Sequence, residues 1–64
     1  MADYVRVEGV SVIKSMDKAI LCEISGEKIW IPLSQVGDDS EVREEGDEGD
    51  LVITEWIAGE KGIA

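Results

Sequence analysis

Two apolar runs, Ala19-Ile20-Leu21-Cys22-Glu23-Ile24 and Glu27-Lys28-Ile29-Trp30-Ile31, flank a single Ser25-Gly26 pair. Two residues can join such runs only as a tight turn between antiparallel strands, so this spacing commits the middle of the chain to a β-hairpin. A two-residue loop also sets the register, with Ile24 opposite Glu27, Glu23 opposite Lys28, Cys22 opposite Ile29, Leu21 opposite Trp30 and Ile20 opposite Ile31. Side chains alternate along a strand, which puts Ile20, Cys22, Ile24, Ile29 and Ile31 on one face as the core. Leu21, Trp30 and the complementary Glu23/Lys28 pair fall on the other face, which is expected to be partly exposed.

The flanking segments read as further short strands. Tyr4-Val5-Arg6-Val7-Glu8 alternates polar and apolar, but beyond Gly9 the apolar positions Val10 and Val12 have changed parity. One inserted residue near Glu8-Gly9, a β-bulge, keeps all four valines on one side. Ser15-Met16-Asp17-Lys18 reads as a turn, and Pro32 ends its strand because it has no N–H for the ladder. Leu33-Ser34-Gln35-Val36-Gly37 reads as a helical turn or compact loop, and Leu51-Val52-Ile53 as a last strand. Thr54 can cap a helix over Glu55 to Lys61, with Glu55 in the first turn, Lys61 in the last, Gly62 as its stop and Ile63 folding back. Gly59 weakens that helix, so packing of Trp56 and Ile57 is expected to hold it as a lid. The expected architecture is mainly β, a small antiparallel barrel or curved sheet of four to five strands with one short C-terminal helix, forming a single domain over residues 1–64.

Sixty-four residues bury only a modest core, and the chain has one cysteine and no histidine. Neither a disulfide nor a zinc site can supplement that core, which leaves self-association as the expected addition. The lack of histidine also removes Ser–His and Cys–His nucleophilic pairs, and Cys22 lies on the core face, where a thiol behaves as a small apolar group. The chain is read as non-enzymatic, without cofactor or metal. Met1-Ala2-Asp3-Tyr4 lacks the basic start and apolar core of a secretory leader, and no apolar run has the length of a membrane span. A soluble cytoplasmic protein without membrane contact is expected.

The formal net charge is −9, and it is concentrated. Residues 38–50, DDSEVREEGDEGD, contain eight acids and one base, whereas each flanking part has a net charge of only −1. A calcium loop starting at Asp38 fails on spacing, since Val42 and Arg43 stand where a fifth-place oxygen ligand and a sixth-place glycine are required. The acids also lack the apolar surroundings that raise a carboxyl pKa for acid catalysis. Apart from weak calcium or magnesium binding by the clustered carboxylates, two readings are left: a hydrated acidic loop, or a polyanion imitating a stretch of nucleic-acid backbone for a basic partner. Direct nucleic-acid binding is not expected, because Arg6, Lys14, Lys18 and Lys28 each lie near an acid in sequence.

The string Trp30-Ile31-Pro32-Leu33-Ser34-Gln35, with Thr54-Glu55-Trp56-Ile57-Ala58 and Lys61-Gly62 at the end, resembles short uncharacterised proteins of bacteriophages and other mobile elements with a W-I-P-x-S-Q motif. Leu33 stands where that group often has lysine. The resemblance implies phage-related biology in a bacterial host cell. Charge and resemblance together lead to the expectation of a small phage-type protein-binding module, an inhibitor or DNA mimic that occupies a basic host protein engaged in nucleic-acid handling or defence. Asp38, Asp39, Glu41, Glu44, Glu45, Asp47, Glu48 and Asp50 are its candidate attractive groups, and Leu21 with Trp30 its apolar anchor. Two alternatives predict other outcomes: a structural or assembly homo-oligomer built on Leu21 and Trp30, and single-stranded nucleic-acid binding through the sheet.

Overall fold

The structure, a computed structural model, describes residues 3–63; Met1, Ala2 and Ala64 lie outside the described residues, and with them the start of the segment read for a leader. Among the described residues, four antiparallel strands, β1 (Tyr4–Ser15), β2 (Ala19–Ile24), β3 (Glu27–Pro32) and β4 (Glu48–Thr54), form one open sheet in the order β3-β2-β1-β4. A 3₁₀ turn spans Leu33–Gln35, and the helix α1 (Glu55–Glu60) follows β4 directly. The curved sheet with a short C-terminal helix is the expected architecture in its open form.

The hairpin has the expected register. Ile24 faces Glu27, Glu23 faces Lys28, Cys22 faces Ile29, Leu21 faces Trp30 and Ile20 faces Ile31, and the ladder runs one pair further to Ala19 and Pro32. Ser25 and Gly26 both have positive φ, 52° and 83°, the signature of a turn whose twist matches the flanking strands.

β1 is long because it bends twice while pairing on both sides. Against β4 its register shifts between Val7 and Val10, three steps in β1 against the two from Leu51 to Gly49. This is the expected bulge, and Gly9 at φ 69° supplies the left-handed residue that such an insertion favours. Against β2 a second shift falls between Val12 and Lys14, adding Ile13 as an extra residue and leaving it exposed. No parity change in the apolar pattern marks that second bulge, which the sequence therefore does not reveal.

The core lies on one face of the sheet. Val10, Val12, Ile20, Cys22, Ile24, Ile31, Leu51 and Ile53 are buried there, roofed by Ile57 and Ala58 of α1, with Val36 and Val42 from the long connection. Thr54 Oγ1 accepts the Ile57 amide hydrogen at 3.2 Å and caps α1. At the other end Ile63 N donates to Ala58 O and Gly62 N to Gly59 O, a paired closure that turns Ile63 back toward the core.

Two details of the helix differ from expectation. Lys61 is the capping residue and not part of the last turn. Trp56 is 63% exposed, so Ile57 and Ala58 hold the lid without it: six residues make under two turns, and only one side can face the sheet. β4 also begins at Glu48, three residues before the expected Leu51, because Ser11 and Val10 of the bulged strand pair with Glu48 and Gly49.

Candidate functional site

Residues 36–47 are folded against the β4 margin of the sheet. Val36 bridges to Ile53, Gly37 N donates to Val52 O at 2.8 Å, and Glu41 N donates to Asp50 O at 2.9 Å. Ser40 Oγ donates to Val42 O and accepts from Val52 N. On the far side of the loop, Gly46 N donates to Val12 O and Val12 N to Asp47 O, so the loop reaches over to β1 as well. Val42, the one apolar residue within the acidic string, is fully buried and pins the loop to the core. A lone valine among acids is the signal that could have revealed this anchor.

The carboxylates divide into two groups. Asp50 pairs with Arg6 at 3.0 Å, and Asp38 lies 3.7 Å from the Arg43 guanidinium, which also donates to Gly37 O at 2.7 Å. Glu41 Oε1 accepts from Asp50 N, and Asp47 Oδ2 accepts from Arg43 N and Glu44 N. Those two backbone donors hold the Asp47 carboxyl below its ordinary range, since they favour its charged form. Asp39, Glu44, Glu45 and Glu48 remain exposed, with no hydrogen-bond or ion-pair partner among the described residues. No three histidine, cysteine, aspartate or glutamate side chains among the described residues converge as metal ligands.

Leu21 and Trp30 sit directly opposite each other on the outer face, and Lys14 of β1 lies on the other side of Leu21 in the same row. Trp30 is 43% exposed and Met16 53%, and together with Ser15, Asp17, Lys18 and Ala19 they line a shallow open groove of about 620 Å³. Met16 is part of this apolar surface although it lies in a turn, where no periodicity marks it. Lys28 faces Glu23 across the β2–β3 ladder as expected, although Lys14, Lys18 and Lys28 make no ion pair among the described residues. Neighbours in sequence point away from one another in a strand, and proximity along the chain is therefore a poor guide to pairing.

The two halves of the candidate site are separated. The acids flank β4 and the Leu21/Trp30 pair spans β2 and β3, so the two groups occupy opposite sides of the sheet, whose margins are roughly 14 Å apart at the usual strand spacing. A single partner that touches both must reach across the sheet. Cys22 is fully buried on the core face, where desolvation pushes its thiol up to about 11 and keeps it protonated. No helix among the described residues is long and apolar enough to cross a membrane. Compared with protein-family models, curated proteins and solved structures, the chain finds no match in any of the three.

Proposed function

We propose that the protein is a small non-enzymatic binding module of phage type that uses the acidic loop beside β4 to occupy a basic host protein. The observation that supports this reading is the folding of the loop. Gly46 and Gly49 would make an unsupported acidic string flexible and costly to order on binding. Here Val42, the Ser40 hydroxyl and the Glu41 and Asp47 carboxylates fix the backbone beforehand, while Asp39, Glu44, Glu45 and Glu48 stay free. A prefolded anionic surface attracts cationic partners by fast association that weakens with salt.

Capture from a bacterial host lysate at two salt concentrations tests the proposal. The variant Asp39→Asn, Glu44→Gln, Glu45→Gln, Glu48→Gln leaves every hydrogen bond of the loop in place. It is expected to lose a basic protein that the parent retains at low salt. Equal retention of that protein by parent and variant would refute the proposal.

A further inference from the structure

The two margins of the sheet differ. Residues 36–41 cover β4, whereas no backbone group of the described residues outside the β2–β3 ladder pairs with β3. Leu33 N donates to Lys18 O at 2.8 Å, which makes Lys18/Leu33 a hydrogen-bonded pair of the extended β2–β3 ladder. Antiparallel pairs alternate between bonded and non-bonded, so the N–H and C=O groups of Lys28 and Trp30 point outward. Pro32 follows at the next outward position and offers only its carbonyl.

We infer that this margin binds a second copy of the same chain, β3 against β3 about a two-fold axis, with Ile29 at the axis and Lys28 of each copy opposite the partner's Trp30.

The register follows by elimination. A pairing centred on Lys28 sets two ammonium groups against each other and calls on Gly26, which is committed to the turn at φ 83°. One centred on Trp30 calls on Pro32 for an N–H that it lacks. Centring on Ile29 satisfies all the outward groups of Lys28 and Trp30 and leaves Pro32 outside the ladder. It also sets a cation against an exposed indole face twice, because a two-fold axis repeats each contact. The partner's Lys28 then reaches the Trp30 groove described above, and the half-buried Ile29 is covered by its own symmetry mate.

Charge permits the pairing despite the net −9 of each copy. The acidic loops lie on the far margins, separated by the width of an eight-stranded sheet, roughly 34 Å, against a screening length of about 8 Å at physiological salt. The need of a 64-residue chain for added burial points the same way.

Sedimentation velocity and cross-linking test the inference independently of the acidic loop. The parent is expected to sediment as a dimer. Lys28→Pro, which removes an outward N–H without breaking the ladder to β2, is expected to weaken it by about tenfold or more, as is Lys28→Glu, which exchanges the cation for an anion. Circular dichroism confirms that each variant is folded, and Lys28→Glu serves alone should the proline variant not fold. In a Cys22→Ala background, Ile29→Cys is expected to oxidise to a covalent dimer, because facing residues of a non-bonded pair lie within disulfide reach, whereas Trp30→Cys is not. A parent that stays monomeric at millimolar concentration would overturn the inference. So would a dimer that cross-links through Trp30→Cys and not through Ile29→Cys.

Discussion

The Glu41 carboxylate accepts the backbone amide hydrogen of Asp50 at 2.9 Å, joining two acidic residues 9 positions apart in the charged segment. Gly49 makes room for it. A Cβ at that position would come within 2.7 Å of Glu41 Oε1, on a backbone at φ 150° that side chains rarely adopt. Gly49→Ala is therefore expected to destabilise the fold by about 1–3 kcal/mol. Part of that loss is Glu41's, so in a Glu41→Ala background the same substitution should cost less, as urea titration of the four members of the cycle would reveal.

Val42 links the loop to the core. Its truncation in Val42→Ala leaves a cavity beneath an otherwise polar loop and should cost about 1–3 kcal/mol. Amide exchange provides the local check: Gly46 N–H, bonded to Val12 O, should lose protection along with the global loss.

Ser25 holds a left-handed conformation at φ 52° that favours asparagine or glycine. Ser25→Asn is expected to add about 0.5–1 kcal/mol, read as a rise in Tm of about 4–8 °C per kcal/mol for a domain of this size. An unchanged or lower Tm would count against this account of the turn.

Cys22 should resist thiol reagents at neutral pH while the chain is folded and react fully in denaturant, because burial shields its thiol and pushes it up to about 11, which leaves it protonated at neutral pH. A colorimetric thiol assay with and without guanidinium measures both states.

Asp47 binds Arg43 N and Glu44 N through its charged form. A carboxyl with a lowered folded-state pKa contributes stability above the ordinary aspartate value of about 3.9, and that contribution is lost as pH falls through its own lower value. Carboxyl NMR titration should show the depressed midpoint. The Arg43 and Glu44 amide signals should move with it, and in Asp47→Ala the component of their movement at that depressed midpoint should disappear.

The hairpin, the bulge at Gly9 and the helix cap at Thr54 were legible because each rests on local chemistry: a two-residue loop, a change of parity, a hydroxyl three residues ahead of an orphan amide. The division of the acids was not legible. Whether Glu41 or Asp39 meets an amide depends on the β4 register, and that register depends on a bulge in β1 more than thirty residues away. The exposed Trp56 was misjudged for a related reason, since hydrophobicity gives a residue's preference and a six-residue helix has too little surface to satisfy both Trp56 and Ile57. Leu21 and Trp30 were placed on the correct face by alternation alone, but their distance from the acids needed the strand order.

The strip from Val36 to Glu41 does more than anchor a loop. Lying along β4, it occupies the positions a foreign strand would need there, so recruitment can occur only at the other border. A molecule with one receptive border and one sealed border ends any chain of self-addition after a single step, and it thereby escapes the fibril growth to which a sheet open on both sides is exposed.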